Sequence, residues 1–320
     1  MKQVATIIAQ AERVWLVSHV LPDGDALGSS LGLMHLLKAQ GKQARVFSAG
    51  PIPEEYLFLP GMDQVSDVLP QIGDQDLAVM LDCHQPQRTG PVSEAFLAKL
   101  PQVAIIDHHQ GAVDFGQAAW VDPGFAATSE MVTLLAQAEG WDITPEAATC
   151  LFTGVQTDTG SFRYANTTPR VFRVAADLAQ AGAQVWPISQ EVYATRPKRL
   201  SLLGRIMDNL ELSQEGRLAL SQITLDDLEK VGAGPADLEQ AVETLRLIPG
   251  VEVSALFRQT PKGAVKVSMR SRGKVDVSRV AIELGGGGHK NAAGVTLEGN
   301  LAGVRRDIAT RLRLGLEELS

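Results

Sequence analysis

The sequence predicts a two-domain α/β protein whose larger amino-terminal domain contains a mostly parallel sheet flanked by helices. The chain has 320 residues, whereas one domain typically has about 100 to 200. Short apolar runs alternate with segments of helical period through the first half, which is typical of βαβ units. After about residue 212 the pattern restarts as a strand, helices, a hairpin and a helix. This second pattern predicts a smaller α/β domain.

The elements of the first domain follow from the apolar patterning. Four apolar runs predict strands: VWLVSH (14–19), ARVFSAG (44–50), LAVMLDC (77–83) and VAIIDHH (103–109). The segment ALGSSLGLMHLLKAQG (26–41) predicts the first long helix. Three more helices are expected near 127–140, 145–158 and 168–182. Gly140 and Gly182 are natural stops, because glycine often follows the last turn of a helix.

We expect the domain boundaries at 1–187 and 213–320, with a helical linker over 188–212. The linker would allow a cleft between the domains to open and close on a substrate. In the second domain, VEVSALFRQTPKGAVKVSMRS (251–271) predicts two alternating strands around the turn residues TPKG.

Composition narrows the class of protein. A net charge of −8 and a pI near 5.3 argue against a protein that coats nucleic acid, which needs a surplus of basic residues. Cys83 and Cys150 are the only cysteines, so we expect a reducing, cytoplasmic location. There is no apolar run of about 18 residues and no pattern of a secretory leader, so we expect no association with membranes.

Polar residues follow the predicted strands at the point where each strand ends. Because the carboxyl ends of parallel strands meet at one edge of a sheet, we expect these side chains to converge. The loop HVLPDGDALGSS and the segment TGVQTDTGSF add further carboxylates. The converging residues are His19, Asp23, Asp25, Asp82, Asp107, His108, His109 and Asp158.

Up to five neighbouring carboxylates would repel one another strongly in a partly desolvated site. Two divalent ions would nearly cancel that charge. Mixed carboxylate and imidazole ligands suit Mn²⁺, with Mg²⁺ or Co²⁺ as substitutes. Such a pair of ions is typical of phosphoester hydrolysis. Asp82 is then the natural bridging ligand, and His109 would bind a phosphoryl oxygen or protonate the leaving group.

Taken together, these segments resemble the DHH phosphoesterase superfamily in its two-domain form, DHH plus DHHA1. The resemblance covers nearly the whole chain, through HVLPDGDALGS, LDCHQPQRTG, DHHQG, GVQTDTGSF and GGGGHKNAAG. It is closer to the short nanoRNase and pAp phosphatase (NrnA-type) group than to the RecJ exonucleases or the family II pyrophosphatases.

The resemblance implies a role for each residue at the sheet edge. His19 and Asp23 would bind one manganese ion, and Asp25, His108 and Asp158 the other, with Asp82 bridging the two. Asp107 would orient a histidine. His84 stands where the family pattern has a small or polar residue, so its role is left open.

The resemblance also implies that the second domain binds the substrate. Because glycine has no side chain, a phosphate could approach the backbone N–H groups of Gly286, Gly287 and Gly288 closely. His289 follows them directly in the sequence. The stretch 258–274 has six basic and no acidic residues, which predicts a local phosphate-binding patch. Arg270 and Ser271 are the expected direct contacts. The alternative for this patch is the solvated face of a hairpin.

The resemblance implies a Mn²⁺-dependent enzyme that degrades very short oligonucleotides to mononucleotides and removes a phosphate from 3'-phosphoadenosine 5'-phosphate (pAp). The alternatives are a phosphodiesterase of cyclic or linear dinucleotides and a non-catalytic, metal-stabilised nucleotide-binding module. The sequence is compatible with a homodimer.

Overall fold

The computed structural model describes residues 1–68, 71–195, 197–234, 238 and 241–317. The chain forms two compact units, Met1–Ala194 and Thr195–Ser320. Among the described residues, no helix is both long enough and apolar enough to cross a membrane.

The first unit is built on a six-stranded sheet in which every neighbouring pair is parallel. The strand order is β3-β2-β1-β4-β5-β6. The order reverses at β1, so the two halves of the sheet diverge between β1 and β4, where ligands bind in open α/β sheets. The strands are β1 (Arg13–Val17), β2 (Gln43–Phe47), β3 (Val65–Ser66), β4 (Asp76–Leu81), β5 (Gln102–Asp107) and β6 (Ala118–Val121).

The four strands predicted from apolar runs are confirmed as β1, β2, β4 and β5, and the parallel sheet with them. The edge strands β3 and β6 were not predicted, because they have only two and four residues and lack a long apolar run. The helices of this unit are α1 (Lys2–Gln10), α2 (Gly24–Ala39), α3 (Pro91–Leu97), α4 (Thr128–Ala138), α5 (Pro145–Asp158), α6 (Pro169–Gln180) and α7 (Val185–Val192).

Local signals explain where these helices begin and end. Thr144 and Thr168 are the N-caps of α5 and α6, and each side chain accepts a hydrogen bond from a backbone N–H of the first turn. Gly140 and Gly182 follow α4 and α6 with φ of 68° and 118°, which confirms them as stops.

The two faces of the sheet are covered separately. Leu16, Val79 and Ile106 belong to the core on the side of α2 and α5. Trp15, Met80 and Ile105 belong to a second core that contains Phe96 of α3. Alternate residues of a strand point to opposite faces, so both faces of each central strand are buried. This rigid sheet fixes the positions of the residues at its carboxyl edge.

The predicted linker over 188–212 is helical in two separate stretches. Helix α7 ends at Val192, and α8 (Pro197–Asp208) begins with a proline, which suits the first position of a new helix. Strand β7 (Glu211–Ser213) then starts the second sheet.

The second unit contains a six-stranded sheet in the order β11-β12-β10-β9-β8-β7. Its remaining elements are β8 (Leu218–Ile223), α9 (Leu225–Val231), α10 (Ala241–Arg246), β9 (Val253–Gln259), β10 (Val265–Ser271), α11 (Val277–Glu283), β11 (Gly287–His289), β12 (Ala292–Leu297) and α12 (Leu301–Glu317). The predicted hairpin over 251–271 is confirmed as β9 and β10, which pair antiparallel. The glycine-rich segment is not only a loop, because Gly287–His289 pairs with β12 as an edge strand.

Candidate metal centre

Carboxylate and imidazole groups converge at the carboxyl edge of the sheet in the first unit. His19 follows β1 by two residues, Asp82 directly follows β4, and His108 directly follows β5. Asp23 is the N-cap of α2, and Asp158 is the last residue of α5. The sheet and two helices therefore bring together residues that are far apart in the sequence.

The first group of ligand atoms lies beside β1. His19 Nε2 is 3.4 Å from Asp82 Oδ2 and 3.9 Å from Asp23 Oδ1. One ligand atom from each of these three residues lies within 4.8 Å of the other two. This spacing allows a single cation to contact all three.

The second group lies beside β5. His108 Nε2 is 3.1 Å from Asp158 Oδ2, 3.4 Å from Asp82 Oδ1 and 3.9 Å from Asp25 Oδ2. Asp25, His108 and Asp158 also satisfy the 4.8 Å spacing. The two oxygens of Asp82 face different groups, Oδ2 towards His19 and Oδ1 towards His108. A carboxylate in this position can be shared by two cations.

The start of α4 holds two of these carboxylates in place. Asp25 is fully buried, and its oxygens accept hydrogen bonds from the backbone N–H groups of Thr128 at 2.6 Å and Ser129 at 2.9 Å. The N-terminus of a helix favours negative charge. The hydroxyl of Thr128 also donates to Asp82 Oδ1 at 3.1 Å. Sequence reasoning missed Thr128 and Ser129, although their place at the start of a predicted helix was an available signal.

Asp82 has an unusual backbone conformation. Its φ is 61°, in the left-handed region that most residues other than glycine avoid and that aspartate tolerates better than most. Its N–H donates to the carbonyl of Ile106 at 3.1 Å. Strained conformations of this kind are concentrated at functional sites, and this one turns the chain sharply where β4 ends.

The pKa values of the groups at this edge depend on burial and on the charges of their neighbours. Burial and the nearby charges of Asp82 and Asp158 raise the pKa of Asp25 well above its usual range. Burial raises the pKa of Asp158 to about 7, with Asp82 and Asp23 adding to the effect and His108 opposing it. Burial opposes the charged form of His108, yet its contact with Asp82 and the charges of Asp25 and Asp158 raise its pKa to about 10.

The raised pKa values of Asp25, Asp158 and His108 favour their protonated forms. Without a cation, protons therefore supply part of the positive charge that the clustered carboxylates require. Burial opposes ionisation of Asp82, but contacts with His108 and His19 lower its pKa below its usual range. Divalent cations would supply the missing charge, and the mixed oxygen and nitrogen donors suit Mn²⁺ or a similar ion. The residues at this edge therefore fit a metal centre.

Asp107 lies behind this cluster and binds two histidines. It is fully buried, and its Oδ1 contacts His109 Nδ1 at 2.8 Å and accepts from the His109 N–H at 3.1 Å. Its Oδ2 contacts His84 Nδ1 at 2.5 Å. Burial opposes ionisation of Asp107, but the hydrogen bonds from His109 and His84 lower its pKa. Asp107 therefore remains an acceptor for both rings.

His109 occupies the exposed side of the cluster, with 39% of its side chain accessible. The hydrogen bond to Asp107 is the main cause of its raised pKa. Nδ1 of His109 also lies 3.7 Å from Asp82 Oδ1, so Asp82, His108 and His109 form a third group with ligand spacing. Because Nδ1 is already bonded to Asp107, Nε2 is the ring nitrogen that remains for a ligand.

The residues expected to bind substrate lie in the second unit. Arg270 of β10 is paired with Ala292 of β12, which is paired with His289 of β11. Residues directly opposite one another share a face of the sheet, so Arg270 and His289 flank a small alanine on one face. Gly286 is half-buried, and Gly287, Gly288 and His289 are exposed.

Ser271 differs from its neighbour Arg270. Successive residues of a strand point to opposite faces, and Ser271 is fully buried. Its hydroxyl accepts a hydrogen bond from the N–H of Gly273 at 3.0 Å. The Ser271 side chain thus supports the turn after β10, and it would have to leave that turn to contact a ligand.

Comparisons with known proteins agree with this geometry. Residues 13–155 match the model of the DHH family, N-terminal domain, and residues 216–313 match the DHHA1 domain. The bifunctional oligoribonuclease and PAP phosphatase NrnA of Thermus thermophilus is 39% identical over 301 residues, covering 93% of this chain and 89% of that relative.

Two further comparisons extend the picture. A crystal structure of an exopolyphosphatase-related protein from Bacteroides fragilis superposes with a TM-score of 0.88 at 30% identity, covering 99% of this chain and 95% of that one. The cyclic-di-AMP phosphodiesterase PdeA of Listeria monocytogenes is 27% identical over 91% of this chain but only 46% of its own length. The family models and the identity to the Thermus protein together show that this chain belongs to the DHH phosphoesterase family, in its DHH and DHHA1 form.

Proposed function

We propose that this protein is a Mn²⁺-dependent hydrolase that degrades very short oligoribonucleotides to mononucleotides and removes a phosphate from pAp. The observation that carries the proposal is the position of Asp82, whose two carboxylate oxygens face separate groups of ligand atoms. The identity to the Thermus protein over most of both chains supports the choice of substrates.

Two ions would be held by residues of the first unit. His19 and Asp23 would bind one ion, Asp25, His108 and Asp158 the other, and Asp82 both. When bound, the ions would polarise the phosphoryl group and lower the pKa of water, so that hydrolysis proceeds near neutral pH. Mg²⁺ or Co²⁺ could replace Mn²⁺ with the same ligands.

His109 would act on the substrate directly. Its Nδ1 is bonded to Asp107, and its Nε2 remains for a phosphoryl oxygen or the leaving oxygen. The hydrogen bond with Asp107 raises the pKa of His109, which favours the protonated ring. A protonated imidazole can stabilise the charge that develops on phosphorus oxygens or donate a proton to the leaving group.

The second unit would hold the terminal phosphate of the nucleotide. Arg270 and His289 share one face of its sheet, and exposed backbone at Gly287 and Gly288 adjoins them. An arginine can bind a phosphate through two parallel hydrogen bonds. Since Ser271 is buried, we assign the contact to Arg270 and propose a supporting role for Ser271.

We also propose that the protein works in a reducing, cytoplasmic environment. Cys83 and Cys150 are both free and fully buried. Burial raises the pKa of both thiols, so neither is readily ionised. Thiols in this state contribute to packing and have no need of an oxidising compartment.

A comparison of four substrates under Mn²⁺ tests the proposed function: a dinucleotide, a five-nucleotide RNA, pAp and cyclic di-AMP. We expect rapid hydrolysis of the dinucleotide, the short RNA and pAp, and loss of all three activities with a chelator. Negligible turnover of all short oligonucleotides would refute the proposal.

The second candidate is a phosphodiesterase of cyclic dinucleotides, which the similarity to PdeA favours. Because this chain spans only 46% of that relative, we place it second. Cyclic di-AMP turnover faster than dinucleotide turnover in the same assay would reverse the order.

A further inference from the structure

His84 is a buried histidine that belongs to none of the groups with ligand spacing among the described residues. It follows Asp82 by two residues, and only 5% of its surface is exposed. Its Nδ1 lies 2.5 Å from Asp107 Oδ2. An ionised carboxylate can only accept hydrogen bonds, so His84 Nδ1 carries the hydrogen.

Asp107 connects His84 to His109. Its Oδ2 faces His84, and its Oδ1 faces the ring and the N–H of His109. Rotation about the last torsion of an aspartate is otherwise broad. Because the carboxylate is planar, a bond that fixes Oδ2 also fixes the direction of Oδ1. The orientation of the His109 ring therefore depends on a group on the far side of Asp107.

The other side of the His84 ring is fixed by packing. Nε2 is buried and has no hydrogen-bond partner among the described residues. A Cβ atom on Gly111 would lie 2.4 Å from this nitrogen, and Gly111 has a φ of 151°. Only glycine leaves enough space for the ring at this point. Nδ1 of His84 is thus hydrogen-bonded to Asp107, and Nε2 packs closely against Gly111.

We propose that His84 is a positioning residue, which holds Asp107 so that Asp107 fixes His109 in the Nδ1–H tautomer with Nε2 directed to the substrate. This inference rests on the proposed function, because it lets His84 act through His109, the residue proposed to contact the substrate. It predicts that the group required at position 84 is a donor at the place of Nδ1, whatever its charge.

Two amides of similar chemistry test the inference. In His84→Asn the amide nitrogen lies near the place of Nδ1, whereas in His84→Gln it lies near the place of Nε2, where no partner exists. We expect His84→Asn to keep kcat within about threefold of the natural enzyme. We expect kcat to fall about 10- to 100-fold in His84→Gln, the range typical when a partner behind a ligand is lost.

Two more measurements separate positioning from a general effect on folding. KM for the dinucleotide and the Mn²⁺ affinity from calorimetry should change less than about threefold in both variants, since His84 belongs to none of the groups with ligand spacing among the described residues. Two-dimensional ¹H–¹⁵N spectra of the histidine rings in the metal-free protein, recorded at a pH where the His109 ring is neutral, should show the Nδ1–H tautomer of His109 in the natural protein and in His84→Asn. His84→Gln should show a mixture of tautomers.

Equal kcat values in the Asn and Gln variants would overturn the inference, as would a Mn²⁺ affinity that falls in parallel with kcat. An unchanged His109 tautomer in His84→Gln would also overturn it. Failure of the proposed function would give a different result, because the natural enzyme itself would not hydrolyse the dinucleotide. The ring spectra would then still show whether substitution of His84 changes the tautomer of His109.

Discussion

The hydroxyl of Thr128 donates a hydrogen bond to Asp82 Oδ1 at 3.1 Å, while the N–H of the same residue donates to Asp25 Oδ2 at 2.6 Å. One residue at the start of α4 therefore orients two proposed metal ligands that come from different parts of the sequence. The backbone bond survives any substitution that keeps the helix, so the side chain can be tested by itself.

Thr128→Val removes the hydroxyl and keeps the branched shape. We expect Mn²⁺ affinity and dinucleotide hydrolysis to fall about 10- to 100-fold, as is typical when a partner of a metal ligand is lost. Thr128→Ser should retain most of both. A matched control is Thr133→Val in the same helix, since the Thr133 hydroxyl donates to the carbonyl of Ser129 at 2.8 Å and to none of the proposed ligands among the described residues. Equal losses in Thr128→Val and Thr133→Val would contradict a specific role.

Asp82→Asn tests the shared carboxylate. The substitution keeps the shape of the side chain but removes the negative charge that faces both groups. Since loss of a partner behind a ligand costs about 10- to 100-fold, loss of a shared ligand should reduce hydrolysis by more than about 100-fold. If the natural protein and Asp82→Asn both bind nucleotide equally well and neither has activity, these results would instead favour a non-catalytic binding module. The control is Asp74→Asn, an exposed residue before the same strand.

The pKa values at the sheet edge predict how metal binding depends on pH. The raised pKa values of His108, about 10, and Asp158, about 7, mean that these groups hold protons when no cation is bound. A metal ion must displace those protons, so its affinity increases with pH. The increase should be steeper below pH 7, where Asp158 is also protonated, than above it.

Calorimetry of Mn²⁺ binding at several pH values, in buffers of different ionisation enthalpy, measures both the affinity and the protons released. We expect protons to be released throughout this range, from His108 and Asp25 among others, and a larger number below pH 7, where Asp158 is also protonated. An affinity that is constant between pH 6 and pH 8 would show that the ligands are already deprotonated and would contradict the electrostatic account.

Much of the fold and of the convergence of carboxylates and imidazoles at the sheet edge was predictable, because both depend on short-range patterns. Apolar runs define β1, β4 and β5, and a parallel sheet places the residues that follow them at one edge. The sequence placed Thr128 at the start of a predicted helix, but its contacts with Asp25 and Asp82 depend on how α4 packs against that edge, which the pattern does not give. The role of His84 depends equally on a three-dimensional contact, its bond to Asp107.

Two further elements differ from the expectation. The expected helical linker is divided between α7, which ends at Val192, and α8, which begins at Pro197, and a proline suits the first position of a new helix. Strand β11 consists of Gly287, Gly288 and His289, and glycine has a low intrinsic preference for strands. It forms because β12 offers an edge for pairing. The burial of Ser271 follows from the alternation of side chains along β10, and direct contact of Arg270 and Ser271 with substrate stays a prediction.

Close packing between α2 and α5 predicts the effect of a small substitution. A Cβ atom on Gly28 would lie 2.5 Å from the carbonyl oxygen of Cys150 and 2.9 Å from the nitrogen of Gly154. These are backbone atoms of a buried helix and cannot move independently. Gly28→Ala should therefore destabilise the first unit by at least about 1 to 3 kcal/mol, the usual cost of overpacking.

Gly204→Ala is the matched control for Gly28→Ala. Gly204 lies within α8, and a Cβ atom there would meet nothing within 4 Å. Because alanine favours the helix by up to about 1 kcal/mol over glycine, this variant should be as stable as the natural protein or more so. Urea unfolding of both variants measures the difference. Equal stability of Gly28→Ala and the natural protein would show that the two helices can separate without cost.

Asp76 at the amino end of β4 predicts how stability depends on pH. Its carboxylate binds the Arg13 guanidinium at 2.5 and 2.9 Å, the Trp15 ring N–H at 2.9 Å and the Gly73 N–H at 3.0 Å. Burial opposes its ionisation, but these hydrogen bonds lower the pKa of Asp76 below its usual value. Its contribution to stability is therefore complete above about pH 4, the unfolded pKa, and decreases as the pH falls through the lower, folded pKa.

Asp76→Asn should destabilise the first unit by about 1 to 3 kcal/mol at pH 7, because buried donors lose an ionised partner. The difference from the natural protein should shrink below pH 4, where the natural carboxylate also loses its charge. All four tryptophans lie in the first unit, so unfolding followed by tryptophan fluorescence reports on this unit alone. Asp74→Asn, with its exposed side chain, should leave the unfolding midpoint unchanged. A loss in Asp76→Asn that is as large at pH 3 as at pH 7 would mean that packing, and not the charge of Asp76, stabilises this end of the sheet.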